Sequence, residues 1–206
     1  MCDLLPVYAD EVRLAGLLAA SPAGRHGDLD PRVVGVHDSA LRQAAVLVLL
    51  ERGPGWRLVL TKRTTEVDHH KGEVSFAGGM RDSDDADARA TALREAHEEL
   101  GLHPDAVTVL GQLDDYVTIT RFLVTPVVAV IDAGHDFRPN PREVDRVLRV
   151  PLDHLRDDAQ WFDDVREFRG ERFVLRSCRY EGDLIWGATS RMLQSFLRLL
   201  PTDLLR

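Results

Sequence analysis

Three glutamates of one predicted helix have the spacing of a metal-binding site. Glu95, Glu98 and Glu99 occupy positions i, i+3 and i+4 of a segment over residues 93–102, which places their carboxylates on one helix face. Glu95 and Glu99 repel each other across one turn, at a cost of about 0.2–0.5 kcal/mol unless a cation neutralises them. Because all the ligands would be oxygens, Mg²⁺ or Mn²⁺ suits the site better than Zn²⁺. Composition alone would instead favour a solvated charged face.

The flanks of this helix carry start and stop signals. Asp84 or Asp85 is placed to cap its N-terminus, and Gly101 is placed to end it in the left-handed conformation. The apolar stripe expected to face the core consists of Ala86, Ala90, Leu93, Ala96 and Leu100. The helix is therefore expected to pack against a core.

Composition limits the class of protein. The 206 residues suit one domain with additions, and 44% hydrophobic with 29% charged residues is typical of a soluble protein. A formal charge of −8 argues against nucleic-acid or anionic-membrane partners. No apolar run is long enough to cross a membrane and no signal-peptide pattern opens the chain, so a cytoplasmic location is expected. Cys2 and Cys178 are expected to be plain thiols.

Strands and helices alternate along the chain. An N-terminal helix over 8–20 and a wrapping arm over 21–39 form a first unit, residues 1–39, and residues 40–206 form a single domain. Strands are predicted at 44–50, 56–61, 107–113, 122–131 and 147–150, with a further pair between 166 and 185 that turns at 169–170. Helices are predicted at 151–155 and 187–200. This order predicts an α/β fold, an α/β/α sandwich with mixed sheets and a helix at each end.

The glutamate helix follows a longer motif. Its residues match the pattern R-E-U-x-E-E-x-G-U, where U is aliphatic, at Arg94, Glu95, Ala96, Glu98, Glu99, Gly101 and Leu102. This pattern resembles the second half of the Nudix hydrolase box, G-x5-E-x7-R-E-U-x-E-E-x-G-U. The first half departs, because Asp85 replaces the glutamate and eight residues separate it from Arg94. With this aspartate and the one-residue insertion, the chain resembles the branch of the family that hydrolyses coenzyme A.

A second signature of that branch lies just upstream, of the form L-L-T-x-R-[SA]-x3-R-x3-G-x3-F-P-G-G. Its spacing is kept over residues 59–79, with matches that include Arg63, Gly72, Phe76, Gly78 and Gly79. It departs at Val59, Thr64, Asp68 and Ala77. Asp68 puts a negative charge where the signature has the positive charge of arginine. The neighbouring His69, His70 and Lys71 are placed to offset this change. Residues 185–189 also resemble this branch. The resemblance thus runs from about residue 42 to the last helix.

The resemblance implies a metal site and its catalytic residues. Glu95 and Glu99 would be the principal ligands of Mg²⁺ or Mn²⁺, with Glu98 as a further ligand or the base for water. The carbonyl of Gly78 would be another ligand, since glycine lets the main chain approach an ion. Arg94 would orient a neighbouring carboxylate, or form only a surface ion pair. Glu143 would be an auxiliary ligand or base, or a plain loop carboxylate.

The resemblance also implies residues that bind substrate. Arg63 and Lys71 would hold phosphates, unless they are solvated cations, and Phe76 belongs to the same signature. Trp186 is expected to pack in the core or to line the pocket.

The function implied is metal-dependent cleavage of the diphosphate of coenzyme A or acyl-coenzyme A. The products would be 3′-phosphoadenosine 5′-phosphate and (acyl-)4′-phosphopantetheine. Because Asp68 and Ala77 weaken the signature, ADP-ribose, a dinucleotide or a nucleoside triphosphate remain alternative substrates. A non-catalytic nucleotide-binding sensor with the same fold is a further alternative, and a homodimer is expected by analogy with the family.

Overall fold

A large mixed sheet forms the centre of the protein. The computed structural model describes residues 5–21, 24–27, 41–65, 72–168 and 170–205. Within these residues the sheet has nine strands: β1 (Arg25–Gly27), β2 (Arg42–Glu51), β3 (Arg57–Arg63), β4 (Val74–Ser75), β5 (Ala77–Met80), β6 (Thr108–Gln112), β7 (Asp115–Val117), β8 (Phe122–Ile131) and β9 (Val144–Pro151). The path runs β1-β7-β8-β2-β3-β4, with β5 beside β2, β6 beside β8 and β9 beside β3.

Strand β2 is the axis of this sheet. It runs parallel to β8 along its whole length, from Arg42 opposite Phe122 to Glu51 opposite Ile131. On its other side it pairs antiparallel with β5 through its first half and with β3 through its last residues. Strand β5 and the start of β3 therefore lie one after the other along the same side of β2.

A smaller antiparallel sheet follows in the chain. Its strands are β10 (Trp161–Phe168), β11 (Glu171–Tyr180) and β12 (Asp183–Ile185), in that order. The predicted strand pair is confirmed, but β10 begins five residues before the predicted start at 166. Consecutive aspartates at 163 and 164 lower strand propensity, and pairing with β11 outweighs them.

Helices cover both faces of the large sheet. They are α1 (Leu5–Ala20), α2 (Ala88–Leu100), the short α3 (Leu152–Arg156) and α4 (Gly187–Leu199). Alternation along β2 sends Val48 and Leu50 into a core shared with α1 and α4, and Leu47 and Leu49 into a core shared with α2. The predicted α/β/α sandwich is confirmed by these two cores.

The N-terminal unit is bound to the sheet more closely than a separate arm would be. Leu14 of α1 is fully buried in the same core as α4, and a side chain at Gly111 of β6 would press against Leu18 of α1. Residues 25–27, predicted as loop, form β1 and pair in parallel with β7. The division at residue 39 stays a prediction, because residues 28–40 lie outside the described part of the chain.

Among the residues described by the structure, no helix combines the length and apolar character needed to cross a bilayer.

Candidate active site

Helix α2 begins later than its sequence predicts. Asp87 is its N-cap, with Oδ1 accepting a hydrogen bond from the Ala90 amide at 2.8 Å. Asp84 is exposed, and Asp85 is buried and turned back, so that its Oδ2 accepts the Asp82 amide at 2.9 Å. The prediction that Asp84 or Asp85 caps the helix is therefore wrong, because the preceding turn uses the Asp85 carboxylate.

The later start also changes the buried face of α2. Ala86 precedes the helix and is exposed, whereas Thr91 and Ala92 join Ala96 and Leu100 in the core. The predicted stripe is thus right in its second half and wrong at its start. The C-terminal end is as predicted, with Gly101 at φ 65° donating its amide to the carbonyls of the last turn.

Arg94 joins α2 to the turn before it. Its Nε and Nη2 donate to the two carboxylate oxygens of Asp85 at 3.2 and 3.0 Å, and Nη2 also donates to the Met80 carbonyl at 2.9 Å. On the other side Nη1 donates to Glu95 at 3.0 Å and to Glu98 at 3.3 Å. These bonds from Arg94, opposed by burial, lower the pKa of Asp85 to about 2. One guanidinium thus fixes the Asp85 turn and two of the three glutamates.

Glu99 is the most deeply buried of the three glutamates. It is 2% exposed, and its Oε2 has no hydrogen-bond partner among the described residues. Burial raises the pKa of Glu99 to about 8, with repulsion from Glu95 and Glu143 adding to the shift, while Arg63 and the Gly78 amide oppose it. The charge of Arg63 therefore compensates only part of the cost of burying this carboxylate.

Glu95 lies beside Glu99 against the glycine strand. Burial raises the pKa of Glu95, Arg94 opposes that shift, and Glu98 and Glu143 add repulsion. A side chain at Gly79 would overlap the Glu95 carboxylate. The carboxylate can therefore approach the backbone of β5 only because residue 79 is glycine.

The third glutamate has a different environment. The Glu98 side chain is about half exposed, and its carboxylate contacts Arg94 at 3.3 Å. Glu98 therefore lies at the rim of the site, while Glu95 and Glu99 form its floor.

Glu143 belongs to the same electrostatic group, although it lies 44 residues from Glu99 in the sequence. Its charge raises the pKa of both Glu95 and Glu99. Its Oε1 accepts a hydrogen bond from Asn140 at 3.3 Å, and its carbonyl accepts the Thr64 amide at 3.0 Å just after β3. The fold thus brings this predicted residue to the carboxylate site.

These residues fit a hard divalent cation. Two half-buried or buried carboxylates repel each other, and one oxygen has no partner among the described residues. Within the described chain, no three acidic, histidine or cysteine side chains meet as a preformed cluster. Mg²⁺ does not need one, since it commonly takes one or two carboxylates together with water and substrate phosphates. Glu95 and Glu99 would be those carboxylates.

Gly78 lies beside this site. Its amide lowers the pKa of Glu99, in opposition to burial, and β5 pairs Gly78 with Val46. The use of the Gly78 carbonyl as a metal ligand stays a prediction.

A cavity of about 530 Å³ lies between the two sheets and shares Arg63 and Gly78 with the carboxylate site. Its near wall includes Arg63, Phe76, Gly78, Phe122 and Val124, and its far wall includes Arg166, Phe173, Leu175, Trp186 and Met192. Two of the predicted substrate residues, Arg63 and Phe76, therefore line it. Lys71 and Asp68 lie outside the described residues.

The far wall was not found from the sequence. Arg166 lies with its guanidinium carbon 4.7 Å from the centre of the Trp186 ring, and Phe173 pairs with Arg166 across the β10–β11 ladder. The alternation of Phe173 and Leu175 was a signal for a one-sided apolar face, but nothing local indicated what that face contacts. Trp186, predicted for core or pocket, lines the pocket.

Comparison with known proteins agrees with this arrangement. The family model described as the NUDIX domain matches residues 41–169. The chain is 37% identical over 160 residues to "Nudix hydrolase 15, mitochondrial" of Arabidopsis thaliana, covering 74% of this chain but only 56% of that protein. It is 38% identical over 162 residues to "Peroxisomal coenzyme A diphosphatase NUDT7" of Mus musculus, covering 76% and 69%. It is 36% identical over 165 residues to "Uncharacterized Nudix hydrolase NudL" of Pectobacterium atrosepticum, covering 80% and 85%.

Proposed function

The chain belongs to the Nudix hydrolase family, and we propose that it is a metal-dependent hydrolase of coenzyme A or acyl-coenzyme A. Water would cleave the diphosphate to give 3′-phosphoadenosine 5′-phosphate and (acyl-)4′-phosphopantetheine. The observation that carries this proposal is the contact between Arg63 and the buried Glu99, because Arg63 and Phe76 also line the cavity. The preserved spacing over residues 59–79 and the likeness to the mouse coenzyme A diphosphatase support the substrate.

The proposed chemistry divides among the residues of the site. Mg²⁺ or Mn²⁺, held by Glu95 and Glu99, would lower the pKa of the attacking water and stabilise charge on the phosphate oxygens. Arg94 orients Glu95 through the 3.0 Å hydrogen bond and fixes the turn through Asp85. Arg63 faces both Glu99 and the cavity, where its charge suits a phosphate.

In this proposal, Glu98 or Glu143 would accept the proton of the attacking water. Glu98 lies at the solvent rim of the site and Glu143 lies on the opposite segment. Each keeps one anchoring partner, Arg94 for Glu98 and Asn140 for Glu143, and a positioned carboxylate is suited to general-base catalysis.

The cavity suits the organic part of such a substrate. Its aromatic and aliphatic lining favours burial of apolar groups, and Arg63 and Arg166 supply positive charge for phosphate. Both features match a ligand with apolar and phosphorylated portions. Other nucleoside diphosphate derivatives share part of this chemistry, and the sequence departures at Asp68 and Ala77 keep them as alternative substrates.

A substrate panel tests the proposal. The protein is incubated with Mg²⁺ or Mn²⁺ and with coenzyme A, acetyl-coenzyme A, ADP-ribose, NADH or diadenosine polyphosphates, and products are identified by mass. We expect coenzyme A or its acetyl derivative to have the highest kcat/KM and to yield the two products named above. Equal or faster turnover of ADP-ribose would contradict the substrate assignment. Tight binding without turnover of any substrate would point to a sensor.

A further inference from the structure

Arg63 is the positive charge next to Glu99, yet the two groups pair loosely. Arg63 Nη1 lies 3.5 Å from Glu99 Oε1, the limit of a hydrogen bond, whereas a well-formed arginine–carboxylate pair is closer to 2.7–2.9 Å and often bidentate. Arg63 Nε and Glu99 Oε2 are both buried without hydrogen-bond partners among the described residues. Each group therefore keeps unused capacity for another partner.

From its position in the fold, the Arg63 side chain can reach both Glu99 and the cavity. It is the last residue of β3, where the pairing with β9 shifts register between Lys62 and Arg63. Such irregularities re-aim side chains at the end of a strand. The side chain contacts Glu99 on one side and lines the cavity on the other, with 26% of its surface exposed.

We propose that Arg63 substitutes for the divalent cation beside Glu99 in the metal-free protein and, when the cation binds, turns into the cavity to hold a substrate phosphate. A buried carboxylate without positive charge nearby is costly, so the metal-free site needs such a substitute. The cation displaces the guanidinium by charge repulsion, and the long, flexible arginine side chain reaches the cavity from the same backbone position. Metal binding thereby prepares the phosphate subsite.

This inference rests on the proposed function only in requiring a divalent cation and a diphosphate. For Arg63→Gln it predicts that the affinity for Mn²⁺ rises and that the affinity for a diphosphate falls. Mn²⁺ alone should bind about three- to tenfold more tightly, because no arginine competes for Glu99. Methylenediphosphonate, a non-hydrolysable diphosphate, should bind the Mn²⁺-saturated protein about three- to tenfold more weakly, because its arginine partner is missing.

The measurements are Mn²⁺ binding by electron paramagnetic resonance and diphosphonate binding by calorimetry at saturating Mn²⁺. The control is Arg57→Gln, which removes the same charge from the exposed start of the same strand and should leave both affinities at the wild-type value. Arg63→Lys is measured alongside, since it keeps the charge if the glutamine variant fails to fold. Its charge still competes for Glu99, so its Mn²⁺ affinity should lie between those of the wild type and Arg63→Gln. Its ammonium lacks the arginine fork, so the diphosphonate should bind more weakly than to the wild type.

Each outcome separates the two proposals. Mn²⁺ affinity that is unchanged or weaker in both Arg63 variants overturns the inference, as does an unchanged diphosphonate affinity. Failure of the wild-type protein to bind Mn²⁺ would overturn the proposed metal-dependent function and, with it, this inference, which requires the cation. Neither measurement uses coenzyme A, so an error in the substrate assignment leaves the test intact.

Discussion

The pKa values of two carboxyl groups of the site, Asp85 and Glu99, are shifted in opposite directions. Arg94 donates hydrogen bonds to Asp85 and lowers its pKa to about 2, while burial raises the pKa of Glu99 to about 8. Asp85 therefore belongs to a permanent ion pair that holds the turn before α2. Glu99 is available to a cation, since the described protein groups satisfy only part of its carboxylate.

Replacing Glu99 by Gln should lower the activity of the protein and raise the thermal stability of its metal-free form. We expect kcat to fall at least about 100-fold, because a charge that stabilises the reaction through the cation is lost. The metal-free variant should melt roughly 2–4 °C higher than the wild type, because a neutral amide costs less to bury than a carboxylate. Steady-state kinetics and thermal unfolding in a chelator provide the two readouts. A fully active variant would place the metal site elsewhere.

Asp85 should make stability depend on acid. Its folded pKa, about 2, lies below the ordinary 3.8, so its ion pair contributes stability above pH 4 that is lost as the pH falls towards 2. Urea unfolding at pH 7 should show Asp85→Asn to be less stable than the wild type. The difference should narrow between pH 4 and pH 2. A difference that stays constant with pH would mean that the Asp85–Arg94 pair does not stabilise the fold.

At the scale of elements, α2 and β5 form the two walls of the carboxylate site. Helix α2 is limited by Asp87 at its start and Gly101 at its end, and β5 lies beneath it through Gly78 and Gly79. The helix start matters for function because Arg94 and Glu95 lie in the second turn of the helix, directly after the turn that Asp87 caps. Fraying there would loosen the group that orients the metal ligand.

The position of the helix start can be tested with two aspartates three residues apart. Asp87→Ala should lower the free energy of unfolding by about 1 kcal/mol, because the Ala90 amide loses its cap. Asp84→Ala, at an exposed position outside the helix, should change it by less than about 0.5 kcal/mol. Chemical unfolding of both variants at pH 7 measures the effect. Equal losses, or a larger loss for Asp84→Ala, would contradict the assignment of the cap.

At the scale of the whole molecule, the cavity exists because the small sheet faces the large one. The far wall includes Phe173, Leu175 and Trp186, all of which follow the last residue matched by the family model at 169. The catalytic helix lies within the matched region. Substrate selection is therefore expected to depend on the part of the chain that the family pattern describes least.

Adjacent residues of β11 provide a matched test of this wall. Phe173 lines the cavity, whereas Val174 points to the other face and is 56% exposed. Phe173→Ala should raise KM for the preferred substrate about tenfold, while kcat stays within about twofold, since apolar contact made equally in the ground and transition states is lost. Val174→Ala should leave both constants unchanged. A loss confined to kcat in Phe173→Ala would mean that this wall does not bind substrate.

Local patterns predicted the regular elements well. Continuous apolar runs predicted β2 and β8, and the amphipathic repeat predicted α4, because neighbouring residues in sequence set these periodicities. The short strands β1, β4, β5 and β7 were not predicted. Each has two to four residues and forms through pairing with a partner strand rather than through its own propensity.

The three glutamates mark the boundary between local and tertiary information. Their spacing on one helix, the position of Arg94 beside them and the glycine end signal follow from the sequence, since 3.6-residue periodicity is a property of the local backbone. Nothing in the sequence distinguishes the three carboxylates by their exposure to solvent. In the folded protein Glu99 is buried, Glu95 is half-buried and Glu98 lies at the rim of the site. Burial depends on strands β3 and β5, and on Arg63, 36 residues away. Solvation and charge pairing across such distances arise only when the chain has folded.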